Sequence, residues 1–236
     1  MIGRMAVITF AHRGARLEEP ENSLPAFRRG LELGARGLET DVWLSADGEV
    51  VCTHDATVRA GFRRHRVGHT TAAALAALDV PRLSDVYETL GTDFELSVDV
   101  KDPAAARGLV DVARRHDALE HLWVCSPHVD ELVALRDESR VHLVHSTHKR
   151  AIGRAVERHA HELAEQRIDA INLHHSEWTA GLVSLFHRFG VRTFAWDTQE
   201  ARHIRAVLGM GIDAVYCDRP DRMVAVVGEW ETSADQ

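Results

Sequence analysis

What most constrains this chain is a rhythm: short runs rich in Val, Ile, Leu and Phe recur along it, separated by longer stretches with helical spacing. Apolar runs of about four to eight residues between amphipathic segments read as strands of βαβ units, which build parallel sheets covered by helices. Eight such runs stand out, at 5–11, 36–43, 94–100, 121–126, 141–146, 168–173, 191–196 and 212–217. The segments NSLPAFRRGLELG, LSDVYETL, PAAARGLVDVARRH, VDELVALRD, RAIGRAVERHAHELAEQ, TAGLVSLFHRFG and EARHIRAVLGMG fit helices, and several end at glycine, as helix C-termini do. Eight alternations in 236 residues predict an α/β fold, a (β/α)8 TIM-type barrel with a small insertion after strand 2. A doubly wound open sheet shares the alternation. No GxGxxG follows the first strand, however, so the dinucleotide-binding form of that rival loses support. The insertion, about 56–82, carries the basic run VRAGFRRHRVGHTT and then an Ala-rich helix, and is expected on the top face among the functional loops. Residues 1–236 are expected to form one domain.

The chain's 45% hydrophobic and 27% charged residues allow a full core and exclude disorder. Its net charge of −8 argues against nucleic acid as a partner and against strong attraction to anionic membrane surfaces, and leaves a small, metal-masked anion possible. No run is long enough to span a bilayer, and MAVITFA is too short and too close to the start for a signal-peptide core. Cys52, Cys125 and Cys217 are odd in number, far apart and set in apolar runs, which reads as buried reduced thiols and points to the cytoplasm. Nothing in the sequence sets the oligomeric state.

In a parallel barrel the reactive groups come from the C-terminal ends of strands and the loops just beyond them. On that frame His12 and Arg13 follow strand one, Glu39 and Asp41 end strand two, and Asp99 with Lys101 ends strand three. Strand side chains alternate, so Glu39 and Asp41 point to one face, where Asp99 can join them from the next strand. Three carboxylates brought together repel unless neutralised, and an all-oxygen set suits one divalent cation, Mg2+ or Ca2+, better than zinc. A solvated strand face is the plain alternative for Glu39 and Asp41. His12 and His54 each follow a strand-like run and can act as a general base and general acid on a phosphodiester. Either one alone, among sixteen histidines, fits a structural role as well. Arg13 offers a fork for phosphate oxygens, and Lys101 a second positive contact.

The motifs HRG (12–14), PENSLPAF (20–27), GARGLETDVWLSADGEVVCTHD (34–55), LSVDVK (96–101), FAWDT (194–198) and GIDAVYCDRPD (211–221) resemble the glycerophosphodiester phosphodiesterase family over nearly the whole chain. The resemblance implies a TIM-type barrel that hydrolyses glycerophosphodiesters, small-molecule substrates, to glycerol 3-phosphate and an alcohol with a divalent metal. By that resemblance Glu39, Asp41 and Asp99 match the metal ligands and His12 and His54 the catalytic pair. Arg13 sits at the phosphate with Lys101 nearby, Glu21 and Asn22 match the PEN element, Trp196 resembles the aromatic lining the glycerol side, and Glu21 is expected with Arg13, Lys101 and Trp196 among the substrate-binding residues. Asn22 is also expected to cap the helix that follows. Asp99 stands where the family usually has Glu, Ser23 where Thr is common, ATVRAGF for a DTLDRTT-like run, WDTQ for WTVN, and Cys217 at a position commonly Thr. Lysophospholipase D-like or sphingomyelinase D-like cleavage, and a barrel that binds a phosphodiester without cleaving it, stay open as alternatives.

Overall fold

The computed structural model describes residues 6–136 and 140–234. Its strands are β1 (Ile8–His12), β2 (Gly37–Leu44), β3 (Val50–Cys52), β4 (Thr57–Ala60), β5 (Arg63–Arg66), β6 (Glu95–Val100), β7 (Leu122–Ser126), β8 (His142–Ser146), β9 (Ala170–His174), β10 (Arg192–Trp196) and β11 (Ala214–Cys217). Its helices are α1 (Leu24–Glu32), α2 (Ala72–Ala76), α3 (Leu83–Leu90), α4 (Ala105–Arg115), α5 (Val129–Arg136), α6 (Lys149–Ile152), α7 (Val156–Glu165), α8 (Ala180–Arg188), α9 (Ala201–Met210) and α10 (Pro220–Ala234). Eight strands pair in parallel in the order β1-β2-β6-β7-β8-β9-β10-β11, and β11 returns to β1, closing the barrel. Each expected strand is present within two residues of its expected ends, except that β1 begins three residues later than expected. Met5 and Asp137, at the edges of an expected strand and helix, lie outside the described residues.

Two apolar layers follow from strand alternation. Outward side chains such as Leu38, Val42, Leu96 and Val124 pack beneath the helices. Inward ones, Phe10, Trp123, Phe194 and Tyr216, plug the barrel. Phe10 stacks on Tyr216 at 4.8 Å and meets Phe194 at 6.1 Å. Burying a ring of this size outright contributes roughly 2–3 kcal/mol. A plugged interior leaves the inward positions nearer the strand C-termini as the place for polar groups.

Three local features differ from the sequence reading. The stretch read as one helix over 150–166 is two, α6 and α7, because Gly153 ends the first in a left-handed conformation, φ +69°. The cap of α1 is Ser23, whose Oγ accepts the Ala26 N–H at 3.3 Å. Asn22 is not the cap: its backbone is left-handed, φ +56°, and its side chain is engaged by β2. The final helix, α10, was not anticipated; it packs along α9 and β1. The expected insertion begins with β4 and β5, an antiparallel hairpin, and ends with α2. Ahead of it β3 lies antiparallel against the outer half of β2.

Candidate active site

Strand register brings the acidic groups together. His12 on β1 is the direct partner of Glu39 on β2, and Asp41 on β2 is the direct partner of Asp99 on β6. Glu39 and Asp41, two apart, both face inward and are 6% and 1% exposed. Ligand oxygens of Glu39, Asp41 and Asp99 lie within 4.8 Å of one another. Around them opens a cleft of about 750 Å³, lined by His12, Arg13, Glu39, His54, Asp99, Lys101 and Trp196 among others.

Charge in this cluster is only partly balanced. Lys101 Nζ sits between two carboxylates, 3.0 Å from Asp41 Oδ1 and 2.9 Å from Asp99 Oδ2. Arg13 Nε lies 3.2 Å from Asp41 Oδ2, close but not aligned as a hydrogen bond. Burial opposes ionisation of Asp41, yet Lys101 and Arg13 win and hold its carboxyl below the usual range. Glu39 goes the other way. Burial is the largest cause, with Asp41 and Asp99 adding to it against the opposing pull of His12, and its carboxyl is pushed up to about 8. Three acids thus face two permanent cations, one of which, Arg13, also serves Glu21 at 3.0 Å. A divalent cation here would displace the proton that burial favours on Glu39 and meet three carboxylates, and this all-oxygen donor set suits a hard ion. The residues present fit such an ion.

The two histidines are held alike. His12 Nδ1 lies 2.6 Å from Asp218 Oδ1, and its Nε2 is 3.7 Å from Glu39 Oε2. Burial lowers the His12 pKa, but Glu39 and Asp218 outweigh it and the net shift is upward. His54 Nδ1 lies 2.8 Å from Asp55 Oδ1, while its backbone carbonyl accepts the Trp43 indole N–H at 3.1 Å. A carboxylate on Nδ1 fixes the ring and leaves Nε2 for proton transfer. Both rings line the same cleft.

The loop after β1 is built around strained backbone. Arg13 is left-handed, φ +56°, and its N–H donates to Glu39 Oε2 at 3.0 Å. Asn22 returns its N–H to the Arg13 carbonyl, donates Nδ2–H to Asp41 Oδ2 at 3.2 Å, and accepts the Thr40 hydroxyl at 2.7 Å. It therefore holds a carboxylate in place. Across the mouth, Trp196 ends β10 beside His174 of β9, rings 4.6 Å apart, and His174 Nε2 lies 3.1 Å from Asp197.

The sequence-expected residues His12, His54, Arg13, Lys101, Trp196, Glu39, Asp41 and Asp99 are brought together around this cleft, Asp41 reaching it through its partners. Glu21 is not on its wall. It binds Arg13 and, at 2.5 Å, Arg16, both of which are. Asp218 and Arg16 were missed. Asp218 lies in the quoted GIDAVYCDRPD motif, whereas no pattern marks Arg16.

A closed parallel barrel with imidazoles, carboxylates and cations gathered at one mouth defines the class: a TIM-barrel enzyme with an ionic, metal-compatible cleft. The chain belongs to the glycerophosphoryl diester phosphodiesterase family, whose model matches residues 12–222, and it is an enzyme of that family. It is 26% identical to a glycerophosphodiester phosphodiesterase of Caldanaerobacter subterraneus subsp. tengcongensis over 94% of this chain and 98% of that one. Among solved structures it resembles the Thermotoga maritima glycerophosphodiester phosphodiesterase, with TM-score 0.83, 23% identity, and 94% and 99% of the two chains covered. An Oleispira antarctica phosphodiesterase, solved in complex with the product sn-glycerol-3-phosphate, superposes with TM-score 0.80 and 21% identity over 93% of this chain and 96% of that one.

Proposed function

We propose that the chain hydrolyses glycerophosphodiesters to glycerol 3-phosphate and an alcohol, with a divalent cation, Mg2+ or Ca2+, held by Glu39, Asp41 and Asp99. The observation that carries this reading is the register itself, which sets Asp41 beside Asp99 and Glu39 beside His12 at one mouth. The glycerol-3-phosphate complex of the Oleispira antarctica relative supports the substrate class. When bound, the cation supplies a Lewis acid to a nonbridging phosphate oxygen. Arg13 offers its guanidinium to the same phosphate, with Lys101 as a second positive charge. One of His12 and His54 takes the proton of the attacking oxygen, water or the substrate's glycerol 2-hydroxyl, and the other returns a proton to the leaving alcohol. Asp218 and Asp55 keep the two rings oriented. Trp196 forms an apolar wall for the glycerol, and Glu21 acts through Arg13 and Arg16.

Residues 1–236 act as one catalytic domain, with 56–82 as its insertion. Three buried free thiols fit a reducing, cytoplasmic setting. Among the described residues no helix is long and apolar enough to cross a membrane.

Turnover of glycerophosphocholine, assayed beside lysophosphatidylcholine, tests the reading. Chelation abolishes activity, and Mg2+ or Ca2+ restores it. His12→Ala and His54→Ala each lose at least about 100-fold in kcat while keeping the wild-type Tm. Full activity in chelator, near-normal turnover in both variants, or faster cleavage of the lysolipid overturns it.

A further inference from the structure

The hairpin of β4 and β5 stands apart from the rest of the surface. Residues 57–66 contain four of the 28 basic residues, Arg59, Arg63, Arg64 and Arg66, and none of the 36 acidic ones, in a chain of net charge −8. All four arginines are exposed. Among the described residues none of their side chains has a hydrogen-bond or ion-pair partner. Register even sets Arg59 directly opposite Arg64, a like-charge pairing that destabilises an isolated hairpin.

The tip adds an apolar element. Gly61, φ +59°, makes the tight turn, and Phe62 beside it is fully exposed. Only one other large hydrophobic residue among those described, Leu17, is exposed. At its base the hairpin is anchored: Val58 packs with Trp43 against the small core of Val51, Val67 and Leu75. His54, on the cleft wall, lies three residues before the first residue of β4.

We propose that this hairpin docks the protein on an anionic phospholipid surface, Phe62 entering the headgroup boundary and the four arginines binding lipid phosphates. One apolar anchor combined with a basic patch is the pairing that gives reversible membrane attachment. Outside the hairpin 24 basic residues face 36 acidic ones, a net charge of −12 that disfavours contact with such a membrane, so approach is through the hairpin. Single-stranded nucleic acid shares the negative charge and its bases can stack on an aromatic, so vesicle binding is what separates the two partners. The docking rests on the hairpin and does not require the catalytic reading.

Co-sedimentation of the full chain with phosphatidylcholine vesicles, with and without about one-third phosphatidylglycerol, reads this out. Binding is expected only to the anionic vesicles and to fall steeply when salt rises from about 0.05 to about 0.3 M. Arg59→Gln/Arg63→Gln/Arg64→Gln loses roughly fivefold per arginine. Phe62→Ser weakens binding about tenfold or more. Both variants keep the wild-type Tm and wild-type turnover of soluble glycerophosphocholine. Equal binding to neutral and anionic vesicles, no binding to either, or capture of single-stranded RNA that survives Phe62→Ser while vesicle binding is absent overturns the proposal.

Discussion

Asn22 and Asp218 lie on no catalytic atom, yet each orients a residue that does the chemistry proposed here. Asp218 reaches His12 from 206 residues away in sequence, and its carboxylate at 2.6 Å fixes which ring nitrogen carries the proton. Asp218→Asn keeps the shape and removes that preference, so kcat falls by about 100-fold with little change in KM or Tm; steady-state kinetics beside a melting curve checks it. Glu39 and Asp41 were legible in the sequence because a period of two is visible in a line of letters. The partner of His12 was not, because a hydrogen bond between the first and last strands of a closed barrel has no local signature. Asn22 was misread for a related reason. A side chain suited to capping was recognised, but its competing engagement with Thr40 and Asp41 depends on β2 packing beside it.

At the level of elements, every barrel strand was legible from its apolar run, since strands buried on both faces stand out against polar loops. The break between α6 and α7 was harder, because Gly153 sits inside a pattern whose periodicity continues through it. Gly37 shows how closely three strands meet at the start of β2. It is the partner of Phe10 on β1 and Glu95 on β6, and a Cβ there would lie 2.6 Å from the Glu95 carbonyl oxygen and 2.8 Å from the Phe10 ring. Gly37→Ala is therefore expected to destabilise by about 1–3 kcal/mol, a fall of several degrees in Tm. It is the first residue of β2 and Asp41 the fifth, so kcat of the folded fraction is expected to stay near the wild-type value.

For the molecule as a whole, acid sensitivity follows from a histidine pair under the barrel wall. His145 on β8 is buried, with Nδ1 3.1 Å from His159 Nε2 on α7. Burial, then the neighbouring His159 and His128, push the His145 pKa down from 6.5 to about 4. The fold thus favours the neutral ring. Its contribution is complete above pH 6.5, is lost as pH falls from 6.5 toward 4, and does not change below that, where both folded and unfolded chains bind the proton. The total is on the order of 3 kcal/mol. Urea unfolding across pH 7 to 4 should show a smaller loss for His145→Gln than for wild type, and parallel curves would contradict this origin.

The barrel closes by pairing its earliest strand with its latest, β1 with β11, and His12 meets Asp218 across that seam. During translation, then, a growing polypeptide holds all three carboxylates long before it holds the group that orients its first imidazole. A ribosome-bound nascent chain stalled ahead of Ala214 is therefore expected to show no turnover at any cation concentration, because neither the closing strand nor Asp218 is yet present.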